Sequence, residues 1–369
     1  MKYLKKFANN AEYEEYVATE HPTPNVSLAV AENDVHYEPL QPHDYGRDYL
    51  TFVAREDGTF RFSGNSINYS LDGGETWVEL ASDTNSPTVS SGNKIMWKST
   101  LIPTTNKGIG IFVSSAKFDA EGNPMSLLFG DNFKGQTNLS GKDYAFYGLF
   151  SGNTNVVSTD NISLIATTLA SYCYAHMFYG CTSLTTAPQL PATTLADYCY
   201  LSMFLGCTSL TAAPELPATT LAPHCYSGIF YNCTSLTTAP ELIATTLAYG
   251  CYNSMFYNCT SLTEAPELPA TTLANACYYY MFYGCTSLTT APQLLATTLV
   301  YACYSHMFNG CSQLNYIKCL ATNISANSCT YNWVQGVSSS GTFVKAASMT
   351  SWTEGVAGIP SNWTVQDAS

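Results

Sequence analysis

A run of 26-residue repeats constrains this chain more than any other feature. The repeat reads LPATTLAxxCYxxMFxxCTSLTxAPE, and six copies follow one another without a gap. A fixed period of this length is typical of a solenoid, in which each repeat stacks only on its neighbours and all share one core. Three series keep the period: Cys173, Cys199, Cys225, Cys251, Cys277, Cys303 and Cys329; Cys181, Cys207, Cys233, Cys259, Cys285 and Cys311; and Phe178, Phe204, Phe230, Phe256, Phe282 and Phe308.

The repeat resembles the BspA-like (Treponema-type) leucine-rich repeat, whose pattern is a Leu-rich strand, a Pro, a short turn and then AF, two residues and Cys. The stretch MFYGCTSLTTAPQLPATTLA, Met177 to Ala196, carries this resemblance. It implies a leucine-rich-repeat solenoid of the kind found in gut Bacteroides and their phages. The family repeat is usually shorter, and here an extra Pro recurs, as at Pro188 and Pro214. Because Pro cannot donate to a strand ladder, we expect a short or bulged strand there.

Charge and cysteine content divide the chain. All 14 Cys lie at or after Cys173, and residues 164–314 hold five acidic residues and no Lys or Arg. Residues 46–127 instead alternate short Val/Ile/Phe/Tyr/Thr runs with Gly/Asn/Asp turns, which is typical of an antiparallel β-sandwich. We therefore predict an α+β, mostly β chain. Its parts are an N-terminal attachment segment (1–45), a β-sandwich (46–127), an N-terminal cap (128–163), the leucine-rich-repeat solenoid (164–334) and a C-terminal cap (335–369).

The attachment segment is predicted to hold a helix (Asn10 to Thr19) and a strand (Asn25 to Val30). Its stretch Pro24 to Pro39 resembles an N-terminal module of surface and virion proteins of gut Bacteroides and their phages. This implies that residues 1–45 bind other virion proteins. The start MKYLKKFANNAEYEEY lacks the apolar segment of a signal peptide. We therefore expect folding in the host cytoplasm and a place on the virion surface. The alternative is a bacterial cell-surface or secreted adhesin.

Composition excludes two classes of partner. The chain has 14 Lys and Arg against 27 Asp and Glu, a net charge of -13. A nucleic-acid-binding protein needs a basic surface to neutralise phosphates, so no nucleic-acid partner is expected. No window approaches the ~18–20 apolar residues of a membrane span, so membrane insertion is not expected either. A homo-oligomer stays open.

One motif is associated with an enzyme family. Residues 70–77, SLDGGETW, match the Asp-box pattern SxDxGxTW of sialidases and related propellers. The box is a hairpin-stabilising turn and not a catalytic site, and the chain has only three Arg to bind a carboxylate. We expect a structural turn, with a glycosidase-like enzyme as a remote alternative. The residues of the box are Ser70, Asp72, Gly74, Thr76 and Trp77.

The remaining reactive residues favour no catalytic or metal site, and no cofactor is expected. Without a CxxC motif the cysteines do not suggest zinc, and we expect free buried thiols, with disulfides as the alternative. His176 and His306 share one position of the repeat five repeats apart, and no catalytic constellation is found. Glu215, Glu241 and Glu267 also share a position. They favour a solvated ridge, with a bound Ca²⁺ as the alternative.

The pairs of residues before and after each Cys-Tyr vary between repeats while the rest hardly changes. Positions that vary inside a rigid repeat should face solvent, and theirs are rich in Tyr, Ser, Asn, His and Gly, as binding paratopes are. We therefore predict a recognition surface for a host cell-surface glycan or protein. The alternative is that the tyrosines only pack on their neighbours. The predicted ligand-binding residues are Tyr172, His176, Tyr198, His224, Tyr249, Asn253, Tyr279, Tyr280, Tyr301 and His306.

Overall fold

The structure, a computed structural model, describes the backbone of residues 4–7 and 27–30 and all of residues 44–368. Within these ranges the protein is mostly β, as predicted, and its contacts separate residues 1–45 from residues 46–369. The described helices are α1 (Ser126–Phe129) and two short 3-10 turns (Tyr45–Arg47 and Gly130–Asn132). The strands are β1 (Leu4–Phe7), β2 (Ser27–Val30), β3 (Leu50–Ala54), β4 (Phe60–Ser63), β5 (Ile67–Ser70), β6 (Val78–Leu80), β7 (Lys94–Lys98), β8 (Ile111–Ser114), β9 (Phe118–Glu121), β10 (Val156–Ser158), β11 (Tyr316–Cys319), β12 (Thr342–Lys345) and β13 (Thr364–Asp367).

In the N-terminal part, β1 pairs with β2 in parallel, and Leu4 lies opposite Ser27. The strand β2 covers the last four residues of the strand predicted from Asn25. The predicted helix from Asn10 to Thr19 and most of the resemblance from Pro24 to Pro39 lie outside the described residues.

The next part contains a six-stranded sheet in the order β10-β9-β3-β7-β5-β6, and a separate antiparallel pair, β4 with β8. The sheet is antiparallel except where β10 joins β9. Phe52 packs against Phe112 with ring centroids 4.7 Å apart, and Phe112 stacks on Phe150 at 5.8 Å. Because β10 and Phe150 both come from the predicted cap, this sheet and its core extend beyond residue 127 into the cap.

The repeats are built mainly from hydrogen-bonded turns. In residues 172–181, odd-numbered N–H groups donate to the carbonyl three residues earlier, as from Met177 to Tyr174 at 3.3 Å. Even-numbered N–H groups donate to the next repeat, as from Phe178 to Met203 at 2.9 Å. Every backbone N–H in this stretch is therefore paired, which lets it lie against a core without forming a strand or helix. We call this stretch, with its equivalents in the other repeats, the turn ribbon.

Every fourth residue of the turn ribbon has a left-handed backbone. In the first repeat these residues are Tyr172, His176 and Gly180, with φ of 57°, 56° and 69°. The same three positions recur in eight ribbons between residues 144 and 336. A positive φ at the third residue of a turn is the signature of a type II turn. The geometry of the ribbon therefore comes from a turn requirement repeated at intervals of four residues.

Two aromatic ladders fill the core under the ribbons. Phe150 and the repeated Phe series stack with centroids 5.3–5.8 Å apart. The ladder from Phe146 through Tyr174 to Tyr304 stacks at 5.5–6.0 Å. On the ribbon surface, Tyr rings of neighbouring repeats lie only 4.2–4.7 Å apart. The surface rings of neighbouring repeats are thus closer together than the rings of the core.

All 14 cysteines are free and buried. The thiol of Cys207 donates to the Phe178 carbonyl at 3.1 Å, and the same carbonyl accepts the N–H of Cys181 at 3.1 Å. This arrangement recurs through the second Cys series up to Cys311. Burial raises the pKa of these thiols, to about 12 for Cys233. They are protonated donors that fill one position of the core.

The recurring prolines, such as Pro188 and Pro214, lie on a second face of the repeats, which we call the Pro-containing face. Its backbone pairing is less regular than that of the ribbons. Between β10 and β11 it makes only isolated parallel bridges, such as Leu216 with Leu242. The strand expected there is therefore reduced to single bridges, because the prolines remove N–H donors. Continuous pairing appears only at the C-terminal end, where β11, β12 and β13 form a parallel sheet. There Trp352 stacks on Trp333 at 5.7 Å and covers the last ribbon.

Candidate functional site

The variable positions around Cys-Tyr do not all face solvent, so that part of the prediction was wrong. Their second and fourth members are the left-handed positions of the ribbon, where small residues and Gly suit the turn as well as any ligand. Variation there partly reflects what the backbone tolerates. The buried variable residues are Ala175, Ser202, Ser227, Gly228, Gly250, Ala276, Ala302 and Ser305.

The predicted ligand-binding residues fall into separate places. Tyr172, Tyr198 and His224 form one stacked row, with centroids 4.6 and 4.7 Å apart. Tyr249 ends this row edge-on to His224 at 5.0 Å. Since each ring covers the face of the next, the row presents mainly ring edges to solvent.

His176 lies apart from this row. Its ring packs edge-on to Tyr147 at 5.2 Å and to Tyr179 at 5.7 Å. All three residues line a groove of about 740 Å³ shared with the loop around Lys107. Burial lowers the pKa of His176. His306, which shares its position of the repeat with His176, lines a different groove.

Tyr279, Tyr280 and His306 come together in a second groove, of about 550 Å³, which we call the aromatic groove. Asn253 and Tyr301 are not among its lining residues; Asn253 accepts a hydrogen bond from Ser254 at 2.7 Å. The lining residues are Tyr231, Ser254, Tyr257, Tyr279, Tyr280, Tyr283, His306, Asn309, Asn332 and Gln335.

Two stacks of rings give the aromatic groove its form. Tyr231, Tyr257 and Tyr283 stack at 4.2 and 4.5 Å and present edges and hydroxyls. Tyr280 stacks on His306 at 4.3 Å with an angle of 12°. The residue equivalent to Tyr280 in the preceding repeat is Ser254, whose side chain is too small to stack on the ring. The aromatic stack of Tyr280 therefore ends at that side.

The aromatic groove is polar but uncharged at neutral pH. Asn309 donates to Gln335 at 3.2 Å, and Ser305 Oγ lies 3.1 Å from His306 Nδ1. Burial lowers the pKa of His306, which keeps its ring neutral. Burial, with a smaller effect from the Tyr280 hydroxyl, raises the pKa of Tyr279 to about 12. The groove thus offers ring surfaces, hydroxyls and side-chain amides.

Sequence reasoning missed the residues that form one wall of this groove. Tyr231, Tyr257 and Tyr283 follow the repeated Phe directly, a position outside the pairs that were considered. The signal was present, because this position changes between Tyr, Leu and Asn along the repeats while the Phe before it and the Cys two residues after it stay constant.

The Asp box closes the turn between β5 and β6. The Asp72 carboxylate accepts from the Thr76 N–H at 2.9 Å, and the Ser70 hydroxyl donates to it at 2.7 Å. Trp77 Nε1 donates to the Gly74 carbonyl at 3.0 Å. The hydrogen bonds from Thr76, then that from Ser70, hold the pKa of Asp72 well below its usual range. Each residue of the box thus has a partner within the turn.

The repeated glutamates lie at the surface and form no metal site among the described residues. Glu215, Glu241 and Glu267 are exposed. Within residues 44–368, no three His, Cys, Asp or Glu side chains are grouped so as to hold a metal ion. None of the helices in the described part of the chain is long and apolar enough to span a membrane. No protein-family model matches the chain, and no curated protein matches it either.

Proposed function

We propose that residues 164–334 form a solenoid of the BspA-like leucine-rich-repeat type, preceded by a β-sandwich. Parallel bridges 26 residues apart support this proposal, for example Thr220 with Thr246 and Leu216 with Leu242. The continuous stacking of one Phe per repeat supports it as well. In such an array the ribbon surface is a rigid platform, because each repeat is held by both neighbours.

We propose further that this platform belongs to a non-enzymatic adhesion or receptor-binding protein, and that the aromatic groove binds a neutral glycan of a host cell surface. The observation that carries the proposal is the composition of the groove, which joins Tyr rings to amide and hydroxyl groups without a charge. The apolar face of a sugar ring packs on an aromatic ring, and its hydroxyls pair with side-chain amides. Charge-free lining favours such a ligand over an ionic one.

The setting we propose is a phage virion, in a fibre or tail-associated position, with residues 1–45 bound to other virion proteins. The resemblance of Pro24 to Pro39 to a virion and surface module supports this setting. Mass spectrometry of purified virions tests it: the protein should be present in stoichiometric amounts. Its recovery from bacterial envelopes instead would favour a cell-surface adhesin.

A glycan array probed with the full chain tests the ligand class. Tyr280→Ala removes the ring at the end of the stack and should weaken binding at least tenfold. Tyr172→Ala removes a stacked surface tyrosine outside the aromatic groove, so this control should bind as the wild type does. Equal losses in both variants, or binding only to protein receptors, would contradict the proposal. Release of sugar products would show an enzyme instead.

A further inference from the structure

One segment of the Pro-containing face is separated from both of its neighbours. Residues 211–220 bridge to residues 238–246, and residues 290–298 bridge to residues 316–323. Within the described part of the chain, the backbone of residues 263–273 has no hydrogen-bond partner on either side. Leu268 and Leu273 of this segment are nevertheless buried in the core. The segment is therefore fixed by its side chains while its peptide groups are left unpaired.

A cleft of about 650 Å³ lies beside this segment, between residues 237–243 and residues 263–269. We call it the interrepeat cleft. Its walls carry Pro240, Leu242, Ile243 and Pro266, and the Ile243 side chain is 43% exposed. At about 3.3 Å per residue, a wall of seven residues is about as long as an ordinary strand. The cleft thus combines apolar walls with unpaired backbone groups along the wall formed by residues 263–269.

The walls of the cleft also carry three acidic side chains. Glu264 is the only charged residue at its position, which the other repeats fill with Thr186, Ala212, Thr238, Thr290 and Tyr316. Glu241 and Glu267 lie in the same cleft, so three carboxylates gather on adjacent repeats. Like charges on neighbouring strands repel one another. Residues 164–314 contain no Lys or Arg that could compensate them.

We infer that the interrepeat cleft binds an extended peptide in which Lys or Arg alternates with aliphatic residues. An extended peptide that adds to an open sheet edge gains main-chain hydrogen bonds, and alternate side chains give specificity. Its aliphatic side chains would lie against Ile243 and the prolines, and its cationic side chains would reach Glu241, Glu264 and Glu267. The site is on the Pro-containing face and shares no residue with the aromatic groove, so it is independent of the glycan proposal.

The test uses the full chain and a labelled hexapeptide of alternating Lys and Val, measured by fluorescence anisotropy at low and moderate salt. We expect saturable binding that weakens at least threefold as salt rises, since part of it is ionic. A Glu-Val hexapeptide should not bind. The Lys-Val peptide with N-methylated amides keeps its charge but cannot complete a ladder, and its binding should be at least tenfold weaker.

Glu264→Thr is the decisive variant, because it removes a carboxylate that only this repeat carries at that position and introduces the residue found at Thr238 and Thr290. It should weaken peptide binding at least tenfold while the melting temperature stays the same or rises. Glu215→Gln removes a carboxylate from a bridged repeat and is the matched control, expected to bind normally. Undiminished binding by Glu264→Thr, or by the N-methylated peptide, would overturn the inference and leave only nonspecific ionic adsorption.

Discussion

Moderately alkaline pH should unfold the repeats, because all 14 cysteines are buried as neutral thiols. Burial raises the pKa of each thiol, to about 12 for Cys173, Cys251 and Cys311, whereas an exposed thiol titrates near pH 8.5. A group whose folded pKa is raised contributes its full stability below the unfolded pKa. That stability is then lost as the pH rises, since only the unfolded chain releases the proton.

The magnitude follows from the number of thiols. At pH 9, ionisation stabilises the unfolded chain by about 0.8 kcal/mol per thiol, or by about 12 kcal/mol for all 14 thiols. That is comparable with the roughly 5–15 kcal/mol by which a domain is stable. We therefore expect a steep unfolding transition near pH 9 that is linked to the release of most of the 14 thiol protons.

Circular dichroism and tryptophan fluorescence against pH, in the presence of a phosphine reductant, measure this transition. Its proton linkage comes from the dependence of the unfolding midpoint in urea on pH. Thiols with a pKa near 12 should also react with iodoacetamide at pH 8 on the order of 10³ times more slowly than exposed ones. A chain that stays folded beyond pH 10.5, or that labels rapidly when native, would refute the reasoning. Labelling that requires prior reduction would indicate disulfides.

Two further substitutions test the ribbon and the core. Gly250→Ala should lower the free energy of unfolding by about 2 kcal/mol or more, because φ is 59° and the new Cβ would lie 2.4 Å from His224 Cε1. Ala276→Gly, at the equivalent position, should leave the free energy of unfolding nearly unchanged in the same urea titration. Tyr226→Phe should raise the free energy of unfolding by about 1 kcal/mol, because the Tyr226 hydroxyl is buried without a hydrogen-bond partner. Tyr252→Phe is the control, because the Tyr252 hydroxyl is not among the buried hydroxyls without a partner. A loss of stability in Tyr226→Phe alone would contradict this account.

The repeat determined much of the fold without any structure. A period of 26 residues places Phe204 and Phe230 one repeat apart, and two apolar rings at one position of a stacked array have to pack on each other. By the same argument, each of the two Cys series was expected to occupy one buried position of the repeat. The mostly β content also followed from the alternating runs of residues 46–127. These features depend only on which residues recur and how often.

The tertiary structure decided what the recurring residues do. Sequence does not reveal that Tyr172 and His176 have left-handed backbones, because a turn ribbon that pairs laterally at every second residue has no simple hydrophobic period. It also does not reveal that Ser254 ends the stack beside Tyr280, or that residues 263–273 make no bridge to either neighbour. Those outcomes depend on contacts between repeats, where the size and charge of one side chain act on a neighbour 26 residues away.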